Sequence, residues 1–412
     1  MTTEASGGGG RPALARCVSV EPTKFATAYW GRAPLLSRAA ELPSGFRDLL
    51  SPEDADELLS GRGLRTPFLR VAKAGALVPA ARYTGGGGAG AEVDDQVLDE
   101  KVLGLYADGA TLVLQGLHRI WPPLVDFAGA LGRDLGQPLQ VNAYLTPAGN
   151  QGFASHYDTH DVFVLQVDGH KRWRVHEPVL TAPLERQPWG GRADEVSAVA
   201  CGEPALDVVL SPGDALYLPR GWLHSAAALD GSSLHLTVGI RALTRYALVE
   251  ALLGLAAGDA RLRASLPFGL DPSAADDIEP ELTETVEVLR HWLTTVDPAA
   301  VAAALRERVW PAARPAPLRP LAQAGFAAGL TPADRIAARR GLRWSLTPEG
   351  ADRVSLRLPD RSISFPAGCA AALSLVLSGS AVRVGDLPGL DSDDDRLVLA
   401  RRLLREAVAV PG

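Results

Sequence analysis

Short runs rich in Val, Leu, Trp and Tyr alternate with turn signals from about residue 138 to residue 241. The runs 139–145, 154–167, 172–176, 208–210, 215–218 and 234–240 predict strands. The breaks carry Thr146-Pro-Ala-Gly149, Asp168-Gly169, Ser211-Pro-Gly-Asp214 and Asp230-Gly231. Many short strands at close spacing predict an all-β barrel or double-sheet jelly roll. Ahead of them, 111–116 reads as a strand, 119–136 as a helix and 23–59 as mixed but largely helical. Ser51-Pro52-Glu53-Asp54 has the form of a helix start: an N-cap, Pro at the first position, then acids in the first turn. The tract Thr84-Gly-Gly-Gly-Gly-Ala-Gly90 predicts a mobile loop able to cover a site. Residues 1–16 read as a disordered leader, and 17–241 as one barrel domain with an N-terminal extension.

The period turns helical at Leu243 and stays so through 281–293 and 299–309, which makes 242–311 a helical region. Its apolar positions are numerous enough to bury a face on something besides its own barrel. Pro311-Ala-Ala-Arg-Pro-Ala-Pro-Leu-Arg-Pro320 reads as a linker and a domain boundary. Beyond it, a strand pair (343–347, 354–358) and two helices (367–378, 396–408) predict a small winged-helix-like module over 321–412. Its acids Asp391 to Asp395 stand at a helix start, where the dipole favours them.

At 412 residues the chain is long enough for two or three domains, and with 47% apolar and 22% charged residues it is an ordinary globular sequence. A net charge of −7 excludes a globally basic nucleic-acid footprint. The tail has twelve Arg against ten acids with no basic stripe, so it is not expected to read DNA. No run reaches the roughly 18 apolar residues of a membrane span. Cys17, Cys201 and Cys369 form no pairing motif, which suits thiols in a reducing cytoplasm.

The chemistry concentrates in Ser155-His156-Tyr157-Asp158. On a strand, residues two apart face the same way, so His156 and Asp158 can share one metal ion. His224, at the end of the run that begins Ser211-Pro-Gly-Asp214, offers a third ligand. Two His and one carboxylate on one face leave coordination positions open, the arrangement of non-haem Fe(II) oxygenases. The helical HExxH of zinc hydrolases is not in the sequence.

At these residues the sequence resembles the Jumonji-C branch of the cupins, and within it the ribosomal-oxygenase-like proteins. The resemblance rests on Asn142-Ala-Tyr-Leu-Thr-Pro-Ala-Gly-Asn-Gln-Gly-Phe-Ala-Ser-His-Tyr-Asp158 and Asp161-Val-Phe-Val-Leu-Gln-Val-Asp-Gly-His-Lys-Arg-Trp-Arg174. Phe25 to Leu36, with Tyr29-Trp-Gly-Arg-Ala-Pro-Leu-Leu36, resembles the family's opening motif. The tail around Arg383 sits where the family carries a winged-helix module. The resemblance implies a mainly β core, a double-stranded β-helix (cupin jelly roll) with N-terminal α/β elements, a helical dimerisation region and a structural C-terminal module. It implies Fe(II) on His156, Asp158 and His224, with 2-oxoglutarate as cosubstrate and O2 as oxidant. Lys171 matches the residue that pairs with the far carboxylate, and a dianion deep in a barrel needs such a cation. Asn142 and Tyr144 match polar residues lining the pocket. Some relatives place Ser where this chain has Gly239, and Thr237 is the available substitute. His160 is expected to be a pocket or surface histidine and not a ligand, and His235 a polar barrel residue.

The expected activity is hydroxylation of a protein or peptide side chain, with a ribosomal protein as one substrate class and a homodimer as the assembly. The motifs leave demethylation open. Two rivals stand beside it: tailoring of a small metabolite or natural-product peptide, and a catalytically silent cupin binding module. Glu92, Asp94, Asp95, Asp99 and Glu100 follow the glycine tract and predict an acidic rim for a basic polypeptide segment.

Overall fold

The alternating runs fold as strands, and the most apolar of them is covered on both sides. The computed structural model describes residues 11–412, which form one compact unit up to Ala242 and another from Leu243 to Gly412. The first unit opens with α1 (Pro12–Ala15), α2 (Pro22–Lys24), β1 (Leu35–Ser37), α3 (Pro52–Asp56), β2 (Leu69–Lys73) and β3 (Ala76–Leu77). It continues through β4 (Thr84–Gly85), β5 (Gln96–Val97), α4 (Asp99–Ala107), β6 (Thr111–Leu114), α5 (Leu117–Ile120) and α6 (Pro122–Leu135). Then follow β7 (Leu139–Thr146), β8 (Asp161–Asp168), β9 (Lys171–His176), α7 (Ala193–Ala200), β10 (Leu206–Leu210), β11 (Ala215–Leu218), β12 (Leu223–Ala228) and β13 (Ser233–Ile240).

An antiparallel sheet runs β1-β11-β8-β13-β7-β6-β2-β3, and a smaller one runs β10-β9-β12. Strand β8 explains how they pack. Phe163, Leu165 and Val167 join the core made with Leu124, Phe127 and Leu131 of α6. Val162 and Val164 face the other way, onto Trp173 and Val175 of the small sheet. A strand buried on both faces needs a continuous apolar run, not alternation. By register, Tyr144, Asn142, His235, Thr237 and Gly239 share the inner side with Val162 and Val164. This is a mainly β cupin core.

Three expectations need correction. Residues 1–10 of the expected leader lie outside the described residues. The rest of that stretch is ordered: Ala13 and Leu14 of α1 are buried, and their amides donate to Asp134 Oδ2 at 3.0 Å. The glycine tract is not wholly irregular, since Thr84 and Gly85 pair with Val97 and Gln96. The predicted strand over 154–167 begins only at Asp161, and His156 makes just an isolated bridge with His224. His156, Asp158 and His160 are therefore loop residues, and regular strand alternation does not set their directions. The expected helix start at Ser51 is present, its side chain accepting from the Asp54 amide.

The second unit contains α8 (Arg245–Ala256), α9 (Ala275–Leu293), α10 (Pro298–Val309), α11 (Pro320–Ala328), β14 (Arg335–Ala338), β15 (Ser345–Glu349) and β16 (Arg353–Arg357). It ends with β17 (Ser362–Pro366), α12 (Ala370–Leu377), β18 (Val382–Arg383), α13 (Asp393–Arg405) and β19 (Ala409–Pro411). Two small sheets, β18-β14-β19 and β15-β16-β17, surround a core that includes Leu373 and Val376 of α12 and Leu403 of α13. The apolar α12 is thus a packing element. Ser392 caps α13 with Asp393, Asp394 and Asp395 in the first turn. Within the Pro-rich stretch, Ala316 is tied to the strand region by bonds with Arg340 and Arg339.

Candidate metal centre

The ligand atoms of His156, Asp158 and His224 all lie within 4.8 Å of one another. Two backbone bonds bring the ligands together: the His156 amide donates to the His224 carbonyl at 3.2 Å, and the reverse bond is 2.8 Å. The Gly221 amide donates to the Asp158 carbonyl at 3.0 Å, fixing the carboxylate's backbone to the same turn. Each imidazole is aimed by its Nδ1, which donates to the Ala154 carbonyl at 2.7 Å in His156 and to the Trp222 carbonyl at 3.1 Å in His224. That tautomer leaves both Nε2 lone pairs for a cation, the usual way in which outer bonds orient metal-binding His.

Protonation suits a cation as well. Burial, reinforced by His156, pushes the His224 pKa down to about 4 against the pull of Asp158. Burial alone would raise the Asp158 carboxyl. The neighbouring His160, His224 and His156 outweigh it and hold the pKa low. The site therefore offers an ionised carboxylate and a neutral His224 at neutral pH, a donor set that fits Fe(II). His160 is not one of the three clustered ligands.

The sequence assigns no role to four residues that support the site: Tyr157, Asp161, Tyr217 and Gly221. Tyr157 turns away from its neighbours and is buried against Leu223 and Val196, its hydroxyl donating to the Gln187 carbonyl at 3.0 Å. It anchors the loop that presents His156 and Asp158. Asp161 is fully buried and accepts from the Tyr217 hydroxyl at 2.7 Å and the Arg220 amide at 3.0 Å. The Tyr217 hydroxyl in turn accepts from the Gly31 amide at 2.9 Å, and Phe25 packs edge-on to its ring. The opening motif thus braces the ligand-bearing turn. Gly221, at φ +90°, has no space for a side chain: a Cβ would lie 2.4 Å from the Leu180 carbonyl oxygen. Gly221→Ala should shift the 221–224 turn and weaken divalent-metal binding by roughly 10–100-fold, the usual cost of losing an outer support. Titration with Mn(II) would check this.

Lys171 is 3% exposed, and its Nζ donates to Thr146 Oγ1 at 2.8 Å, not to a carboxylate. Burial pulls its pKa down to about 7. It shares the small sheet's inner face with Trp173, whose Nε1 is buried without a partner. His235 stacks on Tyr144 with centroids 4.9 Å apart, and its Nδ1 also lacks a partner. Burial, then Lys171 and His224, keeps His235 neutral. Burial and Asp158 push the Tyr144 hydroxyl up to about 12, so it remains a donor. Asn142 Oδ1 accepts from the Gly116 amide at 3.1 Å, which fixes its amide group. Thr237 lies opposite Asn142 in the register. The structure thus brings all seven expected site residues to one region between the two sheets.

Residues 133–248 match the JmjC domain. The chain is 32% identical to ribosomal oxygenase 1 of Gallus gallus over 299 residues, which span 70% of this chain and 48% of that protein. It is 42% identical over 137 residues to the bifunctional lysine-specific demethylase and histidyl-hydroxylase NO66 of Drosophila persimilis, covering 32% of this chain and 19% of that one. At most, the chain spans about half the length of these curated relatives. In fold it resembles the Escherichia coli ribosomal oxygenase YcfD, with a TM-score of 0.54 at 18% identity over 96% of this chain and 99% of that one. Fold and site define a JmjC-domain protein with a cupin core. Within that class it is ribosomal-oxygenase-like.

Proposed function

We propose that the protein is an Fe(II)- and 2-oxoglutarate-dependent oxygenase hydroxylating a side chain of a polypeptide, with a ribosomal protein as the substrate class. The observation that carries this reading is a buried, carboxylate-free Lys171 in the same barrel as the His156, Asp158 and His224 cluster. YcfD has been solved with cobalt and 2-oxoglutarate, and its fold supports the same pairing here. Bound iron would couple O2 and decarboxylation of 2-oxoglutarate to oxidation of an unactivated C–H bond. The protein's part is positional. Lys171 and Thr146 would hold the far carboxylate, Tyr144, Asn142 and Thr237 line the pocket, and apolar walls from Val162 and Val164 exclude water. The test is incubation with Fe(II), 2-oxoglutarate and a cell lysate, followed by a search for peptides heavier by one oxygen atom. Succinate formation with no such peptide would sink it.

The winged-helix-like reading of the tail and the homodimer belong to the same proposal. In the helical segment, Leu248, Val249 and Leu253 of α8 and Leu282, Val286 and Leu293 of α9 are exposed apolar residues. Such a surface supports burial against a second copy. Sedimentation at micromolar concentration should give a dimer, and a monomer would remove the assignment. Of the expected acidic rim, Asp95 is already paired with Arg65, while Glu92, Asp94, Asp99 and Glu100 remain exposed. Neutralising those four should weaken binding of a basic peptide and flatten its salt dependence, leaving the 2-oxoglutarate requirement unchanged. All three cysteines are unpaired thiols, which supports a reducing cytoplasm. Among the described residues, no helix is long and apolar enough to cross a membrane.

A further inference from the structure

We propose that Arg70 is a docking point for a carboxylate of the polypeptide substrate, an Asp or Glu side chain close in sequence to the residue that is oxidised. The inference rests on the oxygenase reading above. Successive residues of a strand point to opposite faces. Leu69 and Val71 of β2 belong to the core on one side of the large sheet, so Arg70 points to the other, inner side. It pairs with Val113 of β6, which pairs with Tyr144 of β7, and the three form one row across that face. Arg70 is half-buried. Among the described residues its side chain has no hydrogen-bond partner and no carboxylate beside it, and its Nε is fully buried.

A guanidinium withdrawn from water without a counter-ion is unfavourable, and its planar fork of donors matches a carboxylate in two parallel bonds. Its neighbours place it on the side of the ligand-bearing loop. The Tyr144 hydroxyl, raised by burial and then by Asp158, is drawn down in part by Arg70, so both charges reach the same oxygen. The Tyr144 ring meets Phe153 edge-on at 6.3 Å, and Phe153 in turn lies 6.1 Å from the His156 ring. The turn between β2 and β3 is tied to the same loop, the Gly75 amide donating to the Gly152 carbonyl at 3.2 Å.

Lys171 is served by a different row. It bonds Thr146, which also accepts from Thr111 of β6 at 3.2 Å, and Thr111 pairs with Ala72 of β2. On β2 that row ends in a methyl group and not in a cation. Arg70 stands one row along from it and two strands from Tyr144, roughly 10 Å away by the usual strand spacing. A cosubstrate whose far carboxylate lies on Lys171 therefore leaves Arg70 unpaired, and a polypeptide entering past Phe153 can supply the anion. The acidic rim adjoins the approach to β2, the Thr66 amide donating to the Asp95 carbonyl at 3.3 Å. The occupant that fits both features is a basic segment interrupted by one acid.

The test holds the full chain with Mn(II) and saturating 2-oxoglutarate in the absence of O2. The probes are short acetylated, amidated random peptide libraries, identical except for one position fixed as Asp, Glu, Asn or Gln. Wild type should retain the Asp and Glu libraries roughly tenfold over their Asn and Gln counterparts, the worth of one charge-assisted contact. Arg70→Gln should lose that preference, and Arg70→Lys should keep part of it. Calorimetry should show 2-oxoglutarate binding unchanged in both. Arg70→Met should melt no lower than wild type, because no hydrogen bond is lost. No acidic preference in wild type, or the same preference in Arg70→Gln, would overturn the inference. So would a lower-melting Arg70→Met, which would reveal a partner already in place. A 2-oxoglutarate affinity weakened roughly tenfold in Arg70→Gln would also overturn it, by giving the cation to the cosubstrate. An intact acidic preference with no consumption of 2-oxoglutarate under Fe(II) and O2 would instead overturn the oxygenase reading.

Discussion

Asp158→Ala should reduce Fe(II)-dependent turnover to background while leaving the fold intact. The carboxylate is the sole anion among the three clustered ligands, so its loss removes the charge that offsets a divalent cation's desolvation. The effect should exceed the roughly hundredfold cost of losing an outer-shell partner. The fold should survive because the loop is held by its backbone bonds at His156 and Gly221 and by the Tyr157 anchor, none of which uses the Asp158 side chain. Circular dichroism melts should therefore match wild type, and Mn(II) titration should show no tight site. Full 2-oxoglutarate-dependent turnover in this variant would remove the triad assignment.

Lys171→Ala should raise the 2-oxoglutarate concentration needed for half-saturation by about a hundredfold, the equivalent of about 3 kcal/mol for removing one partner of a buried ion pair. Peptide affinity should change little. The sign of the pH effect follows from burial. In the unliganded protein the Lys171 pKa is pulled from 10.5 to about 7. Between these values the unfolded chain binds a proton that the folded chain does not, so stability contributed by this group rises with pH across that window. Below pH about 7 both states are protonated, and the full cost of burying the charge is present. The difference in melting temperature between wild type and Lys171→Met should therefore move in favour of wild type from pH 7 to pH 9. Binding of the 2-oxoglutarate dianion should restore the ammonium, so calorimetry at pH 8 should show proton uptake that disappears in Lys171→Met. Half-saturation unchanged in Lys171→Ala would overturn the assigned role.

The local signals in the sequence were sufficient for much of this protein. The apolar runs of β7, β9, β11 and β13 identify themselves because a half-buried or fully buried strand admits few other residue types. The caps at Ser51 and Ser392 act over three residues and need nothing distant. His156, Asp158 and His224 could be picked out as a candidate triad, and Lys171 as a candidate anion partner, because metal and anion sites restrict the residue types and the motif around them carries a family resemblance. The fold clusters the triad and buries Lys171.

Other features were decided by contacts distant in sequence. The run 154–167 looks uniform, yet only the part from Asp161 finds strand partners, and the earlier part is held by a bridge to His224 far along the chain. The strand β17 alternates Ser362-Ile363-Ser364-Phe365, yet it is its pairing with β16 that sets it as a third strand and buries Ile363 and Phe365. Tyr157 and Asp161 look like ordinary strand residues until their partners at Gln187, Tyr217 and Arg220 come close. Gly239 reads from sequence as a lost hydroxyl. The tertiary structure shows the His160 imidazole in its place, because the space a glycine leaves is filled by whatever the fold brings beside it.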